Sequence, residues 1–306
     1  MYMSQQVKLL FVKKIQNPVA SSDKAREIRQ SLMNQLEARG WDLGKTKVLM
    51  LTHNSMAEDQ GYPTISDIFS GRTEQFVKKE NPAIKFFADI VEPMCNAYSD
   101  SRYGDMFRIF GYGPAITNHQ DKEYWRRDMD ELLRMRIDGS VGDVIDLLKR
   151  SQRPILSDRL LRYEEFIEGL HGAPIPETNS SMLRYNRLRS VRYCEVIEVV
   201  KFIENQTPFA TQHSVKGAEF ENVLVVLGGG WNHYNWPKLL ELLTTKALNK
   251  QNSKGFYRTR NLFYVSISRP MKRLAVLATQ VMPAEAIATV NHLFGVENVE
   301  DLFMTK

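Results

Sequence analysis

Apolar positions along this chain follow two different rhythms. Near both ends they come in short continuous runs rich in β-branched residues. Val7–Val12, Lys47–Thr52, Phe209–His213, Val223–Leu227, Leu262–Ser266 and Leu274–Ala278 therefore read as buried strands. Between the first two lies a helical pattern. Ser21-Ser22-Asp23 offers N-cap chemistry, Ala25, Ile28, Leu32 and Leu36 follow at helical spacing, and Gly40 is a stop signal. The first fifty residues thus read β-α-β, the unit of a parallel sheet.

From about residue 64 to 205 the rhythm is helical. Helices are predicted over Ala83–Tyr98, Lys122–Ile137, Val141–Arg150, Leu160–Leu170 and Ser181–Asn205, and again over Ala284–Leu293 near the end. Gly111-Tyr-Gly-Pro114 and His171-Gly-Ala-Pro174 punctuate the long stretch. The pattern implies an α/β domain built from residues 1–62 and 206–306, carrying an inserted all-helical subdomain over 63–205.

Charge sharpens this picture. The 306 residues carry a formal net charge of +5, and the insertion is nearly balanced, so the excess sits on the α/β part. Between Leu242 and Ala284 there is no Asp or Glu. Lys246, Lys250, Lys254, Arg258, Arg260, Arg269, Lys272 and Arg273 all fall there. Such a field suits phosphate, although a solvated basic surface has the same composition. Cys95 and Cys194 are isolated, with no Cys/His spacing for a metal, and read as reduced thiols of a cytoplasmic protein. No apolar run reaches membrane-spanning length.

Two segments carry candidate chemistry. Thr211-Gln-His-Ser-Val-Lys-Gly-Ala-Glu-Phe220 precedes a β run; Lys216 supplies charge, Gly217 permits close backbone approach, and Glu219 offers an acceptor for ribose hydroxyls. Taken alone, its His-x-x-Lys-Gly portion also reads as a solvated turn. Arg260-Asn-Leu-Phe-Tyr-Val-Ser-Ile-Ser-Arg269 precedes another β run. An Arg at that exit suits a γ-phosphate, since its planar fork and permanent charge match the transition state. An ordinary surface Arg is the plainer reading. Gly44-Lys45-Thr46 mimics the end of a P-loop, but Gly40 is one residue too close and the triplet follows a helix and precedes a strand, the reverse of the required context.

The two segments resemble motifs V and VI of the UvrD/Rep-like superfamily 1 DNA helicases. Thr52-His53-Asn54 looks like motif IV of that family. Thr207–His213 and Leu293–Asn298 are similar to one bacterial branch of it. The resemblance implies the second RecA-like domain of such a helicase: a parallel sheet flanked by helices, with a helical insertion between motifs IV and V. By match it makes Arg269 the catalytic arginine finger, puts Lys216, Gly217, Glu219 and Arg260 at nucleotide, and puts Asn54, Thr52, Thr211 and His213 on a single-stranded DNA track. The chain departs from the family pattern at Thr52, where Arg is common, at Asn261, where a second Arg is common, and at Pro270, which stands in place of Ala.

Neither a P-loop nor a Mg²⁺-holding Asp-Glu segment accompanies these motifs. The expectation is a helicase part that handles ATP and Mg²⁺ only together with an N-terminal P-loop half, binding neither alone and hydrolysing nothing alone. Its expected partners are that half and single-stranded DNA. The rival expectation is a non-enzymatic nucleic-acid-binding or interaction module on a helicase-derived fold. Trp231, Trp236 and Gly228–Gly230 are candidates for partner contact or simply a turn after a strand.

Overall fold

The computed structural model describes residues 8–13, 22–51, 53–109, 116–228 and 233–301. The chain divides into two compact units, Met1–Asp59 with Thr207–Lys306, and Gln60–Gln206.

The first unit is α/β. Its strands are β1 (Lys8–Lys13), β2 (Thr46–Met50), β3 (Phe209–Thr211), β4 (Phe220–Leu227), β5 (Pro270–Ala278) and β6 (Val299–Asp301). They form one sheet in the order β3-β2-β4-β5-β1-β6, and every pairing is parallel. Helices flank it, as in a RecA-like domain. β1 and β2 are parallel members of this sheet but not neighbours, because β4 and β5 lie between them.

Burial explains the continuous apolar runs. A parallel sheet covered on both faces needs apolar side chains on both. Val223 to Leu227 of β4 and Leu274 to Ala278 of β5 are all buried, as are Val48 to Met50 of β2. Trp236, Leu239 and Leu240 of the helix Trp236–Thr245 pack onto this core with Phe263, Val290 and Phe294. The helix Ser22–Ala38 buries Ile28, Leu32 and Leu36 at helical spacing. It closes at Gly40, whose φ of +79° lets Trp41 N–H reach Leu36 O (3.0 Å) and its own N–H reach Glu37 O (2.8 Å).

One expectation is overturned here. The run Leu262–Ser266 is not a strand but part of the helix Ser253–Ile267. Its β-favouring Phe-Tyr-Val core sits inside a longer pattern. Phe256, Thr259, Leu262, Phe263, Ser266 and Ile267 are buried at three- and four-residue steps, while Tyr264 is exposed. The β2 strand also stops at Met50, short of Thr52, and Thr52 itself lies outside the described residues.

The second unit is helical among its described residues, save for one isolated antiparallel bridge between Ser140 and Arg192. Its long helices are Glu92–Ser99, His119–Asp138, Val141–Ser151, Asp158–Gly169, Ser180–Arg189 and Tyr193–Ile203. The last two replace the single helix expected over Ser181–Asn205. The break at 190–192 exists because its backbone bonds elsewhere: Val141 N–H donates to Val191 O (2.8 Å) and Tyr193 N–H to Gly139 O (2.9 Å). Capping boxes start two helices, Asn118 with Asp121 and Ser140 with Asp143. Backbone N–H donors hold both aspartates below the usual carboxylate range.

A buried ion pair organises this unit. Glu92, almost fully enclosed, receives Arg136 Nε at 2.9 Å and a second bond from Arg136 Nη2, and the Tyr193 hydroxyl donates to it at 3.0 Å. Beside it, burial pushes the Cys95 thiol up to about 12. Removing one partner of such a pair strands a desolvated charge. Arg136→Ala is expected to cost about 3–5 kcal/mol, read as the urea transition of the helical unit. Arg136→Met combined with Glu92→Leu should recover most of that loss, because it removes both charges together.

Candidate functional site

In a parallel sheet the turns leaving strand ends gather at the carboxyl edge. Thr211, the last residue of β3, lies level with Met50 of β2. The next residue, Gln212, is fully buried and ties three strands: its N–H donates to Met50 O (2.9 Å) and its Nε2 to Val226 O (3.2 Å). Thr211 is buried too. Its hydroxyl accepts Ser214 N–H (3.1 Å), and Ser214 Oγ returns a bond to Thr211 O (2.9 Å). This ST-type turn fixes the backbone and leaves His213 exposed.

His213 rests on an aromatic column rooted in the core. Its ring meets Tyr234 edge-on at 5.6 Å; Tyr234 stacks on Trp236 at 6.1 Å; Trp236 packs against Phe263 at 6.5 Å. Trp236 is fully buried and its indole N–H donates to Gly228 O (3.1 Å), so it supports the fold rather than a partner. Trp231 and Gly229–Gly230 lie outside the described residues. Desolvation, helped by the Lys216 charge, lowers the His213 pKa below its ordinary value. On the same side Arg258 Nη1 lies 3.1 Å from His233 Nδ1.

From His213 the chain crosses to the amino edge without a helix. Val215 is buried as an anchor, and Gly217 takes a φ of +79°, a conformation that strains any side-chain-bearing residue. Lys216, Gly217 and Glu219 are exposed. Arg269, between the helix Ser253–Ile267 and β5, meets this segment at Ala218, at the amino edge. Its Nη1 donates to Ala218 O (3.1 Å), its Nε to Val265 O (2.9 Å) and its Nη2 to Ser268 Oγ (2.9 Å). Its own carbonyl accepts Phe220 N–H (3.0 Å). A guanidinium has five N–H groups, so three bonds leave one N–H on each terminal nitrogen.

The structure therefore gathers Arg269 with Ala218 and the turn before Phe220, and sets Thr211 and His213 at the opposite edge. Asn54 lies in the first turn of the helix His53–Gln60 that follows β2, hence beyond the carboxyl edge; its side chain lies outside the description. Arg260 is not gathered with Arg269. It sits seven residues before the helix end, roughly 10 Å along the axis. Its guanidinium lies 4.9 Å from the Tyr257 ring and donates to Asn261 Oδ1 (3.2 Å). Of the other cations in the acid-free stretch, Lys272 pairs with Glu221 (3.1 Å), and Arg273 donates to Gly40 O. Gly44 and Lys45 lie in the 3₁₀ turn Leu43–Lys45 and Thr46 opens β2, so the triplet is not a loop feeding a helix. Gln212, Tyr234 and the Ala218 carbonyl escaped the sequence reading. A buried Gln after a strand and a carbonyl acceptor leave no pattern to read, and Tyr234 falls within a segment that reads only as a turn.

Among the described residues no group of three or more His, Cys, Asp or Glu is arranged to hold a metal ion, and no helix is long and apolar enough to cross a membrane.

Comparison with known proteins gives a narrow result. No family model matches the chain. It is similar to the Gabija protein GajB of Bacillus cereus (strain HuB5-5), with 35% identity over 77 residues, which is 24% of this chain and 11% of that protein. The similarity thus spans about a tenth of that relative's length.

The electrostatics of the carboxyl-edge turn are directly testable. A lowered folded-state His pKa means that the unfolded chain binds the proton more tightly. His213 therefore removes stability as pH falls through the ordinary value of 6.5. An NMR titration should place its midpoint below that value. Lys216→Gln should move the midpoint upward, since one of the two causes is the Lys216 charge. A midpoint unaffected by Lys216→Gln refutes this assignment.

Proposed function

We propose that this chain is a helicase-related protein, specifically the second RecA-like unit of a superfamily 1 DNA helicase together with its helical unit. It works with a P-loop unit that brings the phosphate cradle and the Mg²⁺ ligands. The observation that carries this reading is the tie at the amino edge. Arg269 joins the segment resembling motif VI to the segment resembling motif V through Ala218 O and Phe220 N–H. Two segments that resemble partners in one nucleotide site are thereby held as one surface, and the two remaining N–H groups of Arg269 suit a γ-phosphate oxygen. Glu219 and Gly217 flank it on the exposed side.

In this reading the carboxyl edge takes single-stranded DNA. His213, backed by Tyr234, presents a flat ring to the strand, while Thr211 sets the turn and Asn54 follows β2 at the same edge. The chain's own residues fit only one side of a nucleotide. Lys45 and Thr46 are spent in a strand entry, and among the described residues no carboxylate cluster accompanies them; in this reading ATP and Mg²⁺ are handled together with the P-loop unit. The two free thiols suit a cytoplasmic setting.

A second reading has its own support. All three Arg269 bonds go to acceptors of the chain itself, which suits a structural tie in a nucleic-acid-binding module that has no motor. The two readings part on hydrolysis. The chain alone should show no ATP turnover. With a P-loop unit supplied in trans or by fusion, Arg269→Ala should reduce turnover by roughly 10³–10⁵ while sparing DNA binding measured by fluorescence anisotropy. His213→Ala should do the reverse, weakening a binding that itself declines as salt rises. Hydrolysis unchanged by Arg269→Ala favours the binding module.

A further inference from the structure

The helical unit carries a pocket that the helicase reading leaves unused. It measures about 650 Å³, within the range of small-ligand sites. One wall is a single face of a continuous helical run, Pro82–Phe86 through Phe87–Val91 into Glu92–Ser99, which presents Lys85, Phe86, Asp89 and Ile90 at three- and four-residue steps. The opposite wall is Ser157 and Arg159, at the start of the helix Asp158–Gly169. Lys79 and Glu80 complete the rim.

Two local distortions converge on this wall. Phe87–Val91 is a π turn inside the helical run, and Lys79 holds a φ of +54°, a left-handed conformation uncommon for a side chain of its length. Each costs stability, and such features concentrate at binding sites. Here the π turn spans two lining residues, Asp89 and Ile90, and Lys79 is itself a lining residue.

The charges define the ligand. Lys79 is neutralised by Asp89 at 2.7 Å. Lys85 and Arg159 are exposed and make no ion pair among the described residues. The Ser157 hydroxyl makes no cap bond. Two unspent cations and a hydroxyl donor suit a phosphate; Glu80, which makes no ion pair among the described residues, accepts sugar hydroxyls; half-buried Ile90, beside the largely buried Phe86, gives the wall an apolar patch for a flat ring. We propose that this pocket binds a mononucleotide, with its phosphate at Lys85 and Arg159 and its base against Phe86 and Ile90.

Isothermal titration calorimetry of the full chain with AMP tests this. AMP has no γ-phosphate, which separates the pocket from the proposed role of Arg269. Binding of AMP is expected, with adenosine and pyrophosphate each weaker. Lys85→Glu with Arg159→Glu should weaken AMP roughly ten-fold or more, since each removes a charge-assisted bond. Arg159→Glu alone should fall between, and Arg269→Ala should change nothing. Both altered side chains are exposed, so the melting temperature should hold. No AMP binding at millimolar concentration overturns the proposal, as does wild-type affinity in the double variant or loss in Arg269→Ala. Pyrophosphate binding as tight as AMP overturns the nucleotide assignment.

Discussion

All six strands run the same way, so each connection must carry the chain from the carboxyl edge of one strand back to the amino edge of the next. Helices make most of these returns. The return from β3 to β4 has no helix; eight residues, Gln212 to Glu219, make it alone. That one constraint distributes the candidate chemistry. His213, at the start of the crossover, is left at the carboxyl edge, and Glu219, at its end, is delivered to the amino edge. β4 has eight residues, so the two edges stand about 26 Å apart. The two ends of one short segment thus stand at opposite edges of the sheet. The segment is pinned at one end by Gln212 to β2 and β4, and at the other by Arg269.

The bonds that Arg269 makes to its own chain do not exclude the role proposed for it. Its bonds to Val265 O and Ala218 O are hydrogen bonds from a charged donor, the stronger class. They hold the side chain in one orientation and stiffen the turn before β4. A guanidinium already oriented loses less freedom when it meets a phosphate than one waving in solvent. Structural use of part of the fork is therefore compatible with chemical use of the rest, and a long flexible Lys in this place lacks the geometry for both.

How much of this was legible follows from which signals are local. Continuous apolar runs gave β2, β4 and β5, because burial on both faces of a parallel sheet writes itself into consecutive positions. The helix stop at Gly40 was legible because only a left-handed residue closes that turn. Leu262–Ser266 misled because five residues of β-favouring composition were read without their surroundings; the helical period emerges only from Phe256 to Ile267. β6 is three half-buried residues and offers no pattern. The short helix Trp236–Thr245 hid behind a Gly-rich approach, and its N-cap Asn235, which accepts Lys238 N–H at 2.9 Å, was the available sign. The candidate residues were nameable, but their distribution between two edges was not. It depends on strand order, which is set by long-range pairing.

The two compact units differ in what their polar residues do. In the α/β unit Gln212, Thr211 and Arg269 spend most of their hydrogen bonds on backbone, shaping turns that leave neighbouring side chains exposed. In the helical unit the buried polar groups bond to each other. Glu164, for instance, receives the Tyr185 hydroxyl at 2.6 Å and also Arg189 and Lys149. Side-chain networks of that kind rigidify a core and fix how helices pack, but they present nothing outward. The pocket of the helical unit is unlike that core, since its rim carries exposed cations. Lys85 and Arg159 make no ion pair among the described residues, and the π turn Phe87–Val91 forms part of the same wall, so the charge there stays available at the pocket instead of being spent inside the core.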